Sequence, residues 1–230
     1  MKFLLTAINA KFIHSNPAIY SLRAGVGEKL QPYVELAEFT INESLESILE
    51  GIWKRQPKVI GFSCYIWNWK LIRELLIELP KILPDTEIWL GGPEVTYDGP
   101  GLLREFPQVT GIMVGEGEVT FREVLDHYVR EAESTGQSEQ QPESDSTEQQ
   151  AADRMGTVAG KSVAERFGQI PGLCLASGYT APRELTDLTT LPFLYEDMEP
   201  FTNRIIYYET SRGCPYRCSY CLSSIDKKVR

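Results

Sequence analysis

Short apolar runs bounded by turn residues alternate with longer amphipathic stretches along the first 130 or so residues. "KFLLTAI" (2–8), "YVELAEFTI" (33–41), "KVIGFSCYI" (58–66), "EIWLGG" (87–92) and "GIMVGEG" (111–117) read as strands. Between them, 17–30, 43–55, 68–83 and 119–133 carry apolar residues at helical spacing. Leu45, Ile48, Leu49 and Ile52 make one stripe; Leu71, Leu75, Leu76 and Leu79 make another. Strands apolar on both faces and separated by helices predict a parallel sheet covered on both sides. The expected fold is therefore α/β, a flavodoxin-like doubly wound domain spanning 1–133. Its weakest unit is 96–107, where "DGPG" and Pro107 allow only a short helix.

The pattern stops at 134. Residues 134–168 are rich in Ser, Gln and Glu and poor in large apolar side chains, so a disordered acidic linker is expected. A hairpin and a Pro-punctuated connector follow over 169–203, with Ser177-Gly178 at the hairpin turn. "RIIYYETSRGC" (204–214) then reads as a strand entering a cysteine-rich loop.

Charge changes the picture less than its total suggests. The net charge is −9, yet seven acids and no Lys or Arg fall within 131–153. The remainder is close to neutral and gives no charge argument for nucleic acid or an anionic membrane. No apolar run approaches the roughly 20 residues of a membrane helix. The N-terminal apolar run is too short for a signal peptide, so a cytoplasmic protein is expected.

The chemistry lies in the cysteines at 64, 174, 214, 218 and 221. An odd number with three clustered argues for a metal or cluster site in a reducing compartment rather than a disulfide framework. Cys214, Cys218 and Cys221 at C-x3-C-x2-C spacing could hold three irons of a 4Fe-4S cluster and leave the fourth open to a small molecule. A zinc knuckle or a chance cluster are the alternatives. Zinc favours four ligands, and His14 and His127 are remote in sequence.

The run Cys214-Pro215-Tyr216-Arg217-Cys218-Ser219-Tyr220-Cys221 resembles the radical S-adenosylmethionine (radical SAM) signature. That resemblance implies the first strand and cluster loop of a partial β/α barrel over 204–230. The three cysteines would be cluster ligands, with Tyr220 on the S-adenosylmethionine side of the loop. In that family one-electron reduction cleaves S-adenosylmethionine to methionine and a 5'-deoxyadenosyl radical, the electron coming from a donor such as flavodoxin or ferredoxin. A barrel needs on the order of 150–200 residues after its signature, whereas nine follow Cys221. The radical SAM portion is therefore expected to be incomplete and the piece inactive alone.

A radical SAM signature behind an α/β domain resembles the cobalamin-binding subgroup. Its local features are "GFSCYIWN" (61–68), "LGGPEVT" (90–96) and "VGEGEVTF" (114–121), each at the carboxyl end of an expected strand. The resemblance implies that Ser63, Gly91, Gly92, Gly115 and Gly117 line the cobalamin nucleotide tail. The corrin would lie over the strand ends, above an apolar surface from Phe12, Tyr65 or Trp67. Taken singly, a Gly-Gly-Pro turn is only a turn, and "GEGE" lacks the residues of a phosphate loop. Cys64 reads as a small buried side chain, and His127 as a structural residue at the surface of the last helix. Trp67 and Trp69 read either as helix anchors or as corrin contacts. His14 sits in the loop where many cobalamin proteins place a cobalt ligand. Phe12 and Pro17 replace the Asp and Gly of that pattern, so His14 is not expected to coordinate.

The combined expectation is a cobalamin-dependent radical SAM enzyme transferring a methyl group to an unactivated carbon of an unknown small molecule. A non-catalytic cobalamin carrier or sensor is the alternative. A flavodoxin-like domain with another nucleotide, joined to an electron-transfer site, is a second one.

Overall fold

The computed structural model describes residues 1–136, 161–216, 218–221 and 228–230. Five parallel strands form as the alternating pattern requires: β1 Phe3–Asn9, β2 Val34–Thr40, β3 Val59–Ser63, β4 Glu87–Gly91 and β5 Val109–Met113. Their order, β2-β1-β3-β4-β5, is that of a flavodoxin-like doubly wound sheet. β1 is flanked by β2 and β3, so the chain reverses its winding there.

Because β1 is buried on both faces, alternate residues feed two separate cores. Leu4 and Ile8 face helices α2 (Leu45–Trp53), α3 (Trp69–Ile82) and α4 (Gly99–Glu105). Phe3, Leu5 and Ala7 face α1 (Pro17–Gly25) and α5 (Gly117–Gly136). Ser44 caps α2 by accepting from the Ser47 amide, and the stripe Ile48/Ile52 is buried as its spacing predicts. α1 ends at Gly25, short of the expected 30, and Gly27 at φ 78° follows. β3 ends at Ser63 rather than 66, because Asn68 captures the chain beyond it. Asn68 Nδ2 donates to the carbonyls of Ile8 and Ser63, and its Oδ1 accepts from the Tyr65 amide at 2.8 Å.

Beyond 134 the structure departs from the compositional reading. The expected linker over 137–160 lies outside the described residues. Its two flanks, however, are built into the domain. Residues 134–136 close α5, so Glu131 and Glu133 are helical. A short helix α6 (Val163–Phe167) opens with a Ser162/Glu165 capping box. Phe167 is fully buried among Trp89, His127 and Tyr128. The Arg166 side chain is 2% exposed and pairs with Glu87 at 2.9 Å and Glu131 at 2.8 Å. His127 is consequently packed against Phe167 and bonded to Glu131 rather than standing at the open surface.

The hairpin also belongs to the sheet. β6 (Leu173–Leu175) pairs antiparallel with β5, and β7 (Gly178–Tyr179) pairs with β6. Its turn is Ala176-Ser177, one residue earlier than expected. The connector is docked by Tyr195 and Phe201, which pack with Tyr20. The strand expected over 204–214 is not formed. Among the described residues its sheet pairing is one parallel bridge, Ile205 to His14. A barrel strand needs a hydrogen-bonded ladder on each side, whereas this run has the loop after β1 at Ile205 and a single reciprocal backbone pair, Arg212 with Arg230, at its far end. No helix among the described residues is long and apolar enough to cross a membrane.

Candidate functional site

A cavity of about 580 Å³ opens at the carboxyl ends of the strands, between the sheet, α1 and the start of α5. An open α/β sheet leaves a crevice there, where adjoining loops diverge to opposite faces. Its floor is a strip of the sheet that lacks bulk. Gly61 of β3 and Gly91 of β4 stand where the same face elsewhere carries Phe3, Val59 and Trp89. A Cβ at Gly61 would come within 3.1 Å of the Phe3 ring and 3.3 Å of Leu5. The slot is thus cut by missing side chains, and its walls are mostly apolar.

All five residues expected at the nucleotide tail line this cavity: Ser63, Gly91, Gly92, Gly115 and Gly117. They contribute differently. Gly92, at φ 107°, lets the loop after β4 close on the loop after β3, since a Cβ there would lie 2.5 Å from the Cys64 carbonyl oxygen. Gly115, at φ 81°, turns the chain into α5 beside open space. Gly91 leaves room, its nearest neighbour for a Cβ being Met113 Cβ at 3.8 Å.

Ser63 sits at the carboxyl end of β3, and Asn16 Nδ2 donates to its Oγ at 3.3 Å. That leaves the hydroxyl proton of Ser63 to be donated. Asn16 is buried and held in turn by Glu38, which accepts from the Asn16 amide, Asn9 Nδ2, Tyr20 Oη and Arg204 Nη1 at 2.7–3.1 Å. One carboxylate on β2 therefore fixes the loop after β1, helix α1 and the start of the run that leads into the cysteines. Nothing in the local sequence around Glu38 announces that convergence.

Sequence reasoning missed the other wall. Tyr207, Tyr208, Glu209 and Arg212, from the run leading into the cysteines, line the same cavity. Glu118, at the start of α5, is 5% exposed and accepts from Ser21 Oγ at 2.9 Å and from Arg212. Burial pushes its carboxyl up, and the Arg212 guanidinium more than offsets this, holding it below the usual carboxylate range. The "GEGE" run thus supplies Glu116 and Glu118 as anchors for arginines as well as its two glycines.

Outside the cavity mouth, Trp67 stacks on Tyr65 with centroids 4.5 Å apart and rings nearly parallel. Trp67 is 46% exposed, and Phe12 and Ile66 beside the same strand ends are more exposed still. Trp69 packs on Phe106 in the α3 core, as a helix anchor does. The His14 ring is engaged with Tyr207, its Nδ1 lying 2.7 Å from the phenol oxygen. Cys64 is buried, and burial raises its thiol far above the usual range.

Cys214, Cys218 and Cys221 are all partly exposed. Gly213 at φ 86° turns the chain into the first, and the Cys221 amide donates to the Cys218 carbonyl at 3.2 Å. Arg217 and residues 222–227 of this loop lie outside the described residues. Among the described residues, no three His, Cys, Asp or Glu side chains are grouped closely enough to hold a metal ion. Tyr220 is 90% exposed and stands away from the cavity walls.

Residues 4–125, from β1 into α5, match the B12 binding domain family. The chain is 30% identical over 186 residues to the cobalamin-dependent radical SAM methyltransferase TokK of Streptomyces tokunonensis, covering 72% of this chain and 22% of that protein. It is 28% identical over 195 residues to 2-(S-pantetheinyl)-carbapenam-3-carboxylate methyltransferase of Streptantibioticus cattleyicolor, covering 78% and 24%. Among solved structures, the cobalamin-dependent S-adenosylmethionine radical enzyme OxsB, with aqua-cobalamin and S-adenosylmethionine bound, superposes with a TM-score of 0.60. That match has 17% identity and covers 95% of this chain and 28% of the other, so it shows a shared fold. The chain spans less than a quarter of the length of these two methyltransferases. The matched residues include the whole glycine-cut floor of the slot, and the chain belongs to the B12-binding domain family.

Proposed function

We propose that this chain binds cobalamin and is the N-terminal part of a cobalamin-dependent radical SAM methyltransferase. The observation that carries the reading is the slot whose floor residues, Gly61, Ser63 and Gly91, fall within the family match. Its fit is steric and chemical. A planar, largely apolar nucleotide base needs a thin gap between sheet and helices, and glycines on the neighbouring strands β3 and β4 provide one. Ser63, oriented by Asn16, supplies a single hydrogen-bond donor at the slot wall.

The macrocycle would then rest on the strand-end surface that includes the exposed Phe12 and Trp67 and the half-buried Tyr65. His14 is not assigned as a cobalt ligand, because Phe12 and Pro17 stand where the ligating pattern has Asp and Gly. When bound, cobalamin supplies a cobalt centre able to carry a methyl group, and the protein supplies position and exclusion of water.

Cys214, Cys218 and Cys221 are proposed as the ligands of a 4Fe-4S cluster with an open iron for S-adenosylmethionine, with Tyr220 beside that ligand. This rests on their spacing and on the similarity to TokK, a cobalamin-dependent radical SAM methyltransferase. The cluster's chemistry is one-electron cleavage of S-adenosylmethionine, fed by an external donor such as flavodoxin or ferredoxin. The methyl acceptor is proposed to be a small molecule.

The test is anaerobic reconstitution of the chain with iron, sulfide and hydroxocobalamin, followed by desalting. We expect cobalamin and iron both to be retained, and Cys218→Ala to lose the iron alone. Cobalamin without iron would favour a carrier module; iron without cobalamin would sink the reading of the slot.

A further inference from the structure

The cavity has two origins. Its floor and helical wall come from the α/β domain, whereas Tyr207, Tyr208, Glu209 and Arg212 come from the run that enters the cysteine loop. Arg212 is the fixed point of that second wall. Its Nε donates to Glu209 at 2.7 Å, and its Nη1 donates to Glu118 at 3.2 Å. Its Nη2 also donates to Glu118, which makes the contact two-pronged, and Glu116 lies 3.6 Å away. Ser21 of α1 donates to Glu118 Oε1, the oxygen that also accepts from Arg212 Nη2. Ser21, Glu118, Arg212 and Glu209 therefore form one continuous chain across α1, α5 and the cysteine run, and all four line the cavity.

Ion pairing of this kind is a poor way to gain stability, because removing both charges from water costs much of what their attraction returns. An apolar side chain at 212 would seal the wall as well. What a forked guanidinium adds is one geometry, fixed by two donors on one carboxylate.

We propose that Arg212 is a positioning residue that latches the 207–212 run across the cobalamin slot. Closed, the latch holds the cofactor in and fixes the backbone two residues before Cys214. Cofactor exchange requires the Arg212–Glu118 contact to open. This rests on the cobalamin reading above.

The latch makes a kinetic claim that mere damage to a binding site does not. If exchange requires opening, weakening the latch raises the open fraction and speeds entry and exit together. The experiment loads the full chain with radiolabelled cyanocobalamin, chases with unlabelled cofactor, and separately measures association by mixing. Arg212→Gln is expected to speed both rates by about tenfold, the scale of one charge-assisted hydrogen bond. Arg212→Lys, which keeps the charge and loses the fork, should fall between the two. Glu118→Gln keeps the size and the Ser21 contact, so it serves as the second variant should Arg212→Gln fold poorly. Unchanged exchange in a folded variant would overturn the latch, as would faster exit with unchanged entry. A parent chain that retains no cobalamin would instead remove the reading on which the latch stands.

Discussion

Gly91 and Gly92 stand side by side at the end of β4 and do different work. Gly91 has strand geometry and ordinary van der Waals room above it, so Gly91→Val should fold with stability within about 1 kcal/mol of the parent. Its branches would enter the slot, and cobalamin affinity should fall tenfold or more, read by spectral titration. Gly92→Ala should do the reverse, since it sets a Cβ against the Cys64 carbonyl at a left-handed φ. We expect a loss of about 3 kcal/mol in urea unfolding. The pair was legible in the sequence as a turn at a strand end. Its division of labour was not, because that depends on how the loop after β3 folds back, which Asn68 decides from a distance. His14 reads in the sequence as a poor cobalt ligand because Phe12 and Pro17 replace the pattern's Asp and Gly, and in the fold its Nδ1 meets the Tyr207 phenol. His14→Ala should leave the cobalt bands of the bound cofactor unshifted.

At the scale of elements, α6 shows how a small helix can be overlooked. Its capping box, Ser162 and Glu165, was present in the sequence, but a Ser/Gln/Glu-rich neighbourhood masked it. Its hold on the sheet comes from long-range contacts: Phe167 against Trp89 and Tyr128, and Arg166 between Glu87 and Glu131. Arg166→Met should cost about 2–3 kcal/mol, below the range for fully buried pairs because both carboxylates keep some contact with water. Acid should act on the same contacts. Burial raises the Glu131 carboxyl, and pairing with Arg166 outweighs this and holds it below its usual value of 4.5. Glu118 and Glu116 are lowered likewise, against their own burial, by Arg212 and Arg230. A carboxylate lowered in the fold stabilises it above the unfolded value, and that stability is lost as pH falls through the lowered one. The chain should therefore hold a flat unfolding midpoint at neutral pH and lose it below about 4.5, less steeply in Arg166→Met.

The whole molecule divides along the same line of legibility. Sheet order, the two-faced core and the ligand edge follow from local periodicity, which the sequence carries in full over 1–133. What joins them to the rest does not. The hairpin's place on β5, the docked connector and the wall built from 207–212 are pairings between residues tens to nearly two hundred positions apart. The cavity is consequently a joint product of the B12-binding domain and the run leading to the cysteines.

The most direct test of this account is an anaerobic titration of hydroxocobalamin into the full chain, with Gly91→Val titrated alongside. The account predicts one cobalamin retained per chain after desalting, with altered visible bands, and weakened retention in the folded variant. Equal retention by both proteins would place the cofactor somewhere other than the glycine-cut slot. No retention by the parent would contradict the account outright.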